Sequence, residues 1–222
     1  MNVIAHPSPL AADLEAGLDA GLDALGLAMP CDARDKQLDY VALLAKWNGT
    51  YNLTAIRDPQ AMLASHLLDS LSIARHVKPG RLLDVGAGGG LPSIPLAIWA
   101  AAALPDLRIT ALDSNHKKAA FLRQAKAELK LANLEVAGER VEAWEPTAQF
   151  TQIVSRAFSD LYEFFHLTAH LATPECEWLA MKGVHPHEEI AQLPKECKLD
   201  RVVALKVPGL DAERHLVVLK RP

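Results

Sequence analysis

From residue 81 onward the chain alternates short apolar runs with longer stretches of helical periodicity, and no other feature of the sequence limits its fold as tightly. The apolar runs at 81–85, 107–112, 134–137, 151–155 and 177–181 read as strands. Helices are predicted between them near 92–104, 115–131, 141–145 (a short turn) and 160–172. Strands joined through helices run parallel, and a parallel sheet needs cover on both faces. The last two apolar runs, LDRVVALKV and RHLVVLK, have only PGLDAE between them, too few residues for a helical crossover, so they should pair antiparallel. The expected fold class is therefore α/β, a doubly wound, mainly parallel, seven-stranded sheet of Rossmann-like type over 79–222. Residues 1–78 have a different texture, with helical patterns at 10–27, 32–47 and 59–76 that predict a small N-terminal helical unit. The second pattern stops at Asn48-Gly49 and the third opens at Asp58-Pro59.

The loop after the first strand, LLDVGAGGGLPSIP, asks for a ligand lying against bare backbone. Asp84, Gly86, Gly88 and Gly90 fit D-x-G-x-G-x-G. A dinucleotide loop would need its third glycine where Leu91 stands, which disfavours a nicotinamide dehydrogenase. S-adenosyl-L-methionine has no pyrophosphate, and glycines at alternate positions let the main chain approach its amino-acid and ribose parts. Asp113 closes the second strand at the carboxyl edge, where a carboxylate can accept both ribose hydroxyls. Taken alone it could equally cap the next helix together with Ser114. Val141 and Glu142, after the third strand, would reach the adenine side, and Arg156, after the fourth, the mouth of the crevice. Five βα units closed by an antiparallel pair is also the plan of the class I S-adenosylmethionine-dependent methyltransferases.

Charge and cysteine usage narrow the setting. The net charge is −4, but residues 1–33 hold five acids and no Lys or Arg, leaving +1 for the remainder. Residues 115–131 carry five Lys/Arg against one acid, with Arg123, Lys126 and Lys130 on one helical face, which suits either a solvated surface or a polyanion. The three cysteines form no CxxC pair and show no metal-like spacing among the nine histidines, so neither a zinc site nor any other metal is expected, and a reducing, cytoplasmic setting is. The N-terminal residues lack the basic start and apolar core of a signal peptide, and Leu91 to Leu104 is too short for a membrane span. A monomer is the default expectation.

The segment after strand four offers Ser155, Arg156, Ala157 and Phe158. It holds neither a D/N-P-P-Y/F/W stretch to align an exocyclic amine nor a cysteine to attack a pyrimidine carbon. An atom with an available lone pair, such as guanine N7, needs no general base. On the residues alone the target of methylation stays open. In family order, however, WNGTYNLTAIRDP, HLLDSL, LLDVGAGGGLPSIPLAI, ALDSNHKKAAFL, VSRAF, MKG and ERHLVVLK make the chain resemble the bacterial 16S ribosomal RNA guanine-N7 methyltransferases, the RsmG or GidB family. The resemblance implies methyl transfer from S-adenosyl-L-methionine to N7 of a guanosine in the decoding-region loop of 16S rRNA, with the small ribosomal subunit as partner. It also implies cofactor contacts at Gly86, Leu91, Val141, Glu142 and Arg156. Ser93 departs from the family's usual glycine, and AAAALPD looks inserted. His66 and Asp69 match H-x-x-D-S, though a histidine in that apolar stripe also reads as a satisfied core group. Asn52 reads equally as a local cap or a functional residue, and Lys182, Arg214 and His215 as solvated strand-end residues or RNA contacts; no catalytic residue is assigned, the candidates being Arg156, Lys182, His66 and Arg214. Trp47, Trp99, Trp144 and Trp178 read mostly as core. A small-molecule methyltransferase and a non-catalytic RNA-binding or ribosome-assembly factor are the alternatives.

Overall fold

The computed structural model describes residues 9–158 and 160–222; the opening residues, including most of those that lack a leader pattern, lie outside this range. Two long helices, α1 (Pro9–Leu25) and α2 (Cys31–Tyr51), begin the chain, and short helices α3 (Pro59–Met62) and α4 (Asp69–Leu71) follow. Between α3 and α4 the chain opens into a π-helical stretch, Leu63–Leu68. Asp58 starts α3 as expected, its carboxylate accepting from the N–H groups of Gln60 and Ala61.

Seven strands follow: β1 (Gly80–Val85), β2 (Leu107–Leu112), β3 (Leu134–Ala137), β4 (Phe150–Ser155), β5 (Ala172–Lys182), β6 (Lys198–Leu205) and β7 (Arg214–Lys220). Helices α5 (Ser93–Ala103), α6 (His116–Glu128) and α7 (Leu161–Thr168) cross between strands, and α8 (His187–Ala191) lies between β5 and β6. The sheet order is β3-β2-β1-β4-β5-β7-β6, with β1 to β5 parallel and β7 antiparallel to both its neighbours. The order reverses between β1 and β4, and the carboxyl ends of the parallel strands open into a crevice there.

Side chains alternate between two cores, one on each sheet face. Leu82, Val154, Leu179, Leu216 and Val218 pack under α2, α5 and α6. Leu83, Ile153, Trp178, Val217 and Leu219 pack on the other face with Phe164 and Phe165 of α7. The first core runs without a break from Leu18, Leu22, Tyr40 and Leu44 of the helical unit into the sheet.

Several boundaries differ from the pattern. Helix α2 continues through Asn48-Gly49, because Asn48 turns inward, donating to the Ile56 carbonyl (2.9 Å) and accepting from the Thr54 N–H (2.8 Å). The left-handed residue that ends the helix is Asn52 (φ 51°), which caps through its own backbone N–H. The predicted 59–76 helix is broken into α, π and 3-10 pieces. The 141–145 turn shortens to a 3-10 turn over Val141–Ala143, and α8 had no forecast. All three cysteines are free thiols. No helix among the described residues is long and apolar enough to cross a membrane.

Candidate functional site

At the crevice between β1 and β4 lies a cavity of about 370 Å³. Val85 and Gly86 reach it from β1, Asp113 from β2, Val141 and Glu142 from the 3-10 turn, and Ala157 from the segment after β4. Gly86 has φ +73°, and a Cβ there would stand 2.8 Å from the Ala157 Cβ. The bare backbone is thus required where the chain turns beside the cavity. Gly90 (φ +86°) is needed for a different reason, since a side chain there would collide with Ile94 of α5.

Two carboxylates shape this loop. Asp113 accepts from the Gly88 N–H through Oδ2 (2.9 Å) and from the Asn115 N–H through Oδ1 (2.9 Å), so one acid joins the glycine loop to the end of β2. It is not the cap of α6; that role falls to Asn115, which accepts from Lys117 and Lys118 N–H groups. Asp84 lies beneath the loop with no solvent exposure, its Oδ2 accepting from the Ser93 N–H (3.1 Å) and its Oδ1 left without a partner. Burial pushes its pKa up to about 7, against the pull of the Ser93 hydrogen bonding and of Arg156. Ser93 thereby keeps the backbone donor that a glycine would give.

The loop is also held from behind by α2, a contact with no sequence signal. Tyr40 donates its buried hydroxyl to the Gly89 carbonyl (2.6 Å), and Gln37 donates to the Pro95 carbonyl (3.0 Å). On the far side, Ser155 donates to the Val85 carbonyl (2.7 Å) and accepts from the Ala157 N–H (3.0 Å), tying β1 to the Ser155-Arg156-Ala157 turn.

The structure therefore gathers Gly86, Asp113, Val141 and Glu142 at the cavity. Asp84, Gly88 and Leu91 support it from outside its lining, and Leu91 packs against the core. Arg156 is directed to the helical unit instead: its Nη1 stands 3.2 Å from Asp69 Oδ2, while Arg214 Nε donates to Asp69 Oδ1 at 3.0 Å. Asp69 is 2% exposed, so one buried carboxylate gathers two guanidiniums and leaves a net positive charge at the rim. His66, one turn earlier, is a satisfied buried group: Nδ1 donates to the Ser65 carbonyl (2.9 Å), and Nε2 meets the Thr54 hydroxyl (2.7 Å). Desolvation lowers its pKa from the usual histidine value. Lys182 Nζ donates to the Phe158 carbonyl (3.1 Å) and to Glu189 Oε2 (2.7 Å), bracing the same turn against α8. Asn52 is exposed, and none of the four tryptophans lines the cavity.

Residues 34–217 match the family described as rRNA small subunit methyltransferase G, GidB. The chain belongs to this family. The ribosomal RNA small subunit methyltransferase G of Pseudomonas paraeruginosa strain PA7 is 54% identical over 198 residues, covering 89% of this chain and 91% of that protein. The protein of the same name from Laribacter hongkongensis is 54% identical over 210 residues, covering 95% and 98%. Among solved structures, the glycopeptide N-methyltransferase MtfA in complex with S-adenosyl-L-homocysteine aligns with TM-score 0.60 and 12% identity over 72% of this chain and 88% of that one. The ribosomal protein L11 methylase of Lactobacillus delbrueckii subsp. bulgaricus aligns with TM-score 0.53 and 16% identity over 74% and 79%. These structural likenesses carry the fold, while membership of the GidB family rests on sequence.

Proposed function

We propose that this GidB-family protein transfers the methyl group of S-adenosyl-L-methionine to N7 of a guanosine in the decoding-region loop of 16S rRNA, acting on the small ribosomal subunit as a cytoplasmic monomer. The observation that carries the reading is the cavity at the sheet's reversal point, lined by side-chain-free Gly86 and by Asp113, beside an arginine pair gathered on Asp69. The donor, when bound, supplies a sulfonium methyl. Gly86 and the Val141-Glu142 turn would hold it, with Asp113 facing its ribose and with Asp84, Gly88, Gly90 and Leu91 keeping the loop in shape. Arg156 and Arg214 attract the phosphate backbone of the RNA, and Lys182 fixes the turn that faces the target. N7 offers an in-plane lone pair. A bond from N7 to the methyl carbon would form as the S–C bond breaks with its electron pair left on sulfur, so no side chain would need to take a proton. The protein contributes alignment and handles the positive charge that moves from sulfur to the purine.

The test is transfer of a labelled methyl group to small subunits from a strain lacking the activity, followed by mapping of the modified base. Label at N7 of one guanosine is expected. Label on an exocyclic amine or a ribose oxygen overturns the assignment. A small-molecule methyltransferase would also lack the steep loss of RNA affinity that added salt produces when phosphates are neutralised.

A further inference from the structure

At the same carboxyl edge of the sheet, but over β5, β7 and β6, lies a second recess of about 560 Å³ that the proposed function leaves unused. It is bounded by Val184, His185 and His187 after β5, Ala204 of β6, and Arg214 and His215 of β7. Three imidazoles meet here. The His185 and His187 rings stack with centroids 3.8 Å apart, and His215 stands edge-on to His185 at 5.3 Å. His215 is fixed through Nδ1 to the Gly183 carbonyl (2.8 Å), whereas the buried His185 Nδ1 has no partner. Val184 is 75% exposed, an apolar side chain held out at the lip.

The chemistry of this cluster limits what it takes. Among the described residues no group of three or more His, Cys, Asp and Glu could hold a metal ion. Desolvation and the neighbouring His187 and His215 lower the His185 pKa from the usual histidine value, which disfavours the charged form of that ring. Stacked imidazole rings with the exposed His187 on the outside and the Arg214 guanidinium adjacent suit a planar heterocycle attached to an anionic backbone, with Glu213 the one acid in the lining. Sequence-specific RNA recognition works on such splayed bases, stacked on aromatic or histidine rings and hydrogen-bonded at their edges. The recess is also wired to the donor cavity. Arg214 lines it and shares Asp69 with Arg156, and His215 pairs in register with Lys182, which holds the Phe158 carbonyl of the cavity wall.

We propose that this histidine-lined recess receives an unpaired base of the rRNA substrate that flanks the methylated nucleotide, making His185 and His187 specificity-determining residues. The inference rests on the rRNA methyltransferase reading and adds a second base-binding site to it.

The test is steady-state methylation of small subunits from a strain lacking the activity, by the His185→Ala, His187→Ala, His185→Phe and His185→Lys variants. The alanine variants should raise KM for subunits roughly five- to a hundredfold, the range of base-stacking losses. Their kcat, donor affinity and salt slope of KM should match the parent protein. The phenylalanine variant, which keeps a ring face without a proton to exchange, should restore most of the loss. An unchanged KM in both alanine variants overturns the proposal. So does rescue by His185→Lys but not by His185→Phe, because the recess would then be a phosphate contact, and the salt slope would fall with it. Should His185→Ala fail to fold, the exposed His187 carries the same comparison. Absence of methyl transfer by the parent protein would instead count against the underlying reading.

Discussion

Gly86 is where one missing carbon decides most. Its left-handed backbone and the 2.8 Å approach to Ala157 leave no room for a side chain, and the cavity begins at that point. Gly86→Val should abolish donor binding in a calorimetric titration while leaving the helical unit folded; retained affinity would remove the loop from the site. Asp84 yields a pH prediction. The unfolded chain loses this proton near 3.8, but the folded protein holds it up to about pH 7. Ionisation therefore opposes folding, and the acid's contribution to stability is lost as pH rises through that window. Asp84→Asn should gain on the parent protein between pH 4 and pH 7, read from urea midpoints. His66 runs the other way. Its pKa is lowered in the fold, so below about 6.5 the unfolded state takes up a proton that the folded state refuses, and stability falls with pH. His66→Gln should flatten that acid limb, and an unchanged limb would assign it to other groups.

The elements most legible in the sequence were those whose identity depends on local period and punctuation. Strands β2 and β3 fall on the expected residues, β7 on RHLVVLK, and the antiparallel closure follows from the short PGLDAE link. What could not be read was set by contacts distant in the chain. Asn48-Gly49 carries a local stop signal, yet the Asn48 amide is drawn into a loop six to eight residues on, and α2 continues. The π-helical stretch shifts the helical register just before Asp69, which sits 2% exposed between Arg156 and Arg214, and no local pattern encodes that arrangement. Nothing in the local sequence marks Tyr40 as the strut behind the glycine loop. Tyr40→Phe should cost about 1–2 kcal/mol of stability by leaving the buried Gly89 carbonyl without its donor, and should weaken donor binding in the same titrations.

For the molecule as a whole, the division at 78/79 is a proposal about roles, in which the helices would face RNA and the sheet would hold the donor. Because one apolar core runs from Leu18 through Tyr40 to Leu82 and Val218, urea should unfold both parts in a single transition seen alike by far-ultraviolet dichroism and tryptophan fluorescence. Two separated transitions would mean that each part holds itself up. The fold class was legible because strand spacing is local, and the glycines marked a loop that does border the cavity through Gly86. Arg156, Arg214 and His215 were singled out one by one, but their grouping around Asp69 and His185 was not legible, since they come from three separate stretches that meet only after the sheet closes. That closure also fixes how the enzyme can be handled. Since β7 runs against its neighbours, it starts at Arg214 on the reaction edge and delivers Lys220 to the opposite edge. A tether attached at Lys220 would therefore leave from the edge of the sheet opposite the cavity and the histidine recess.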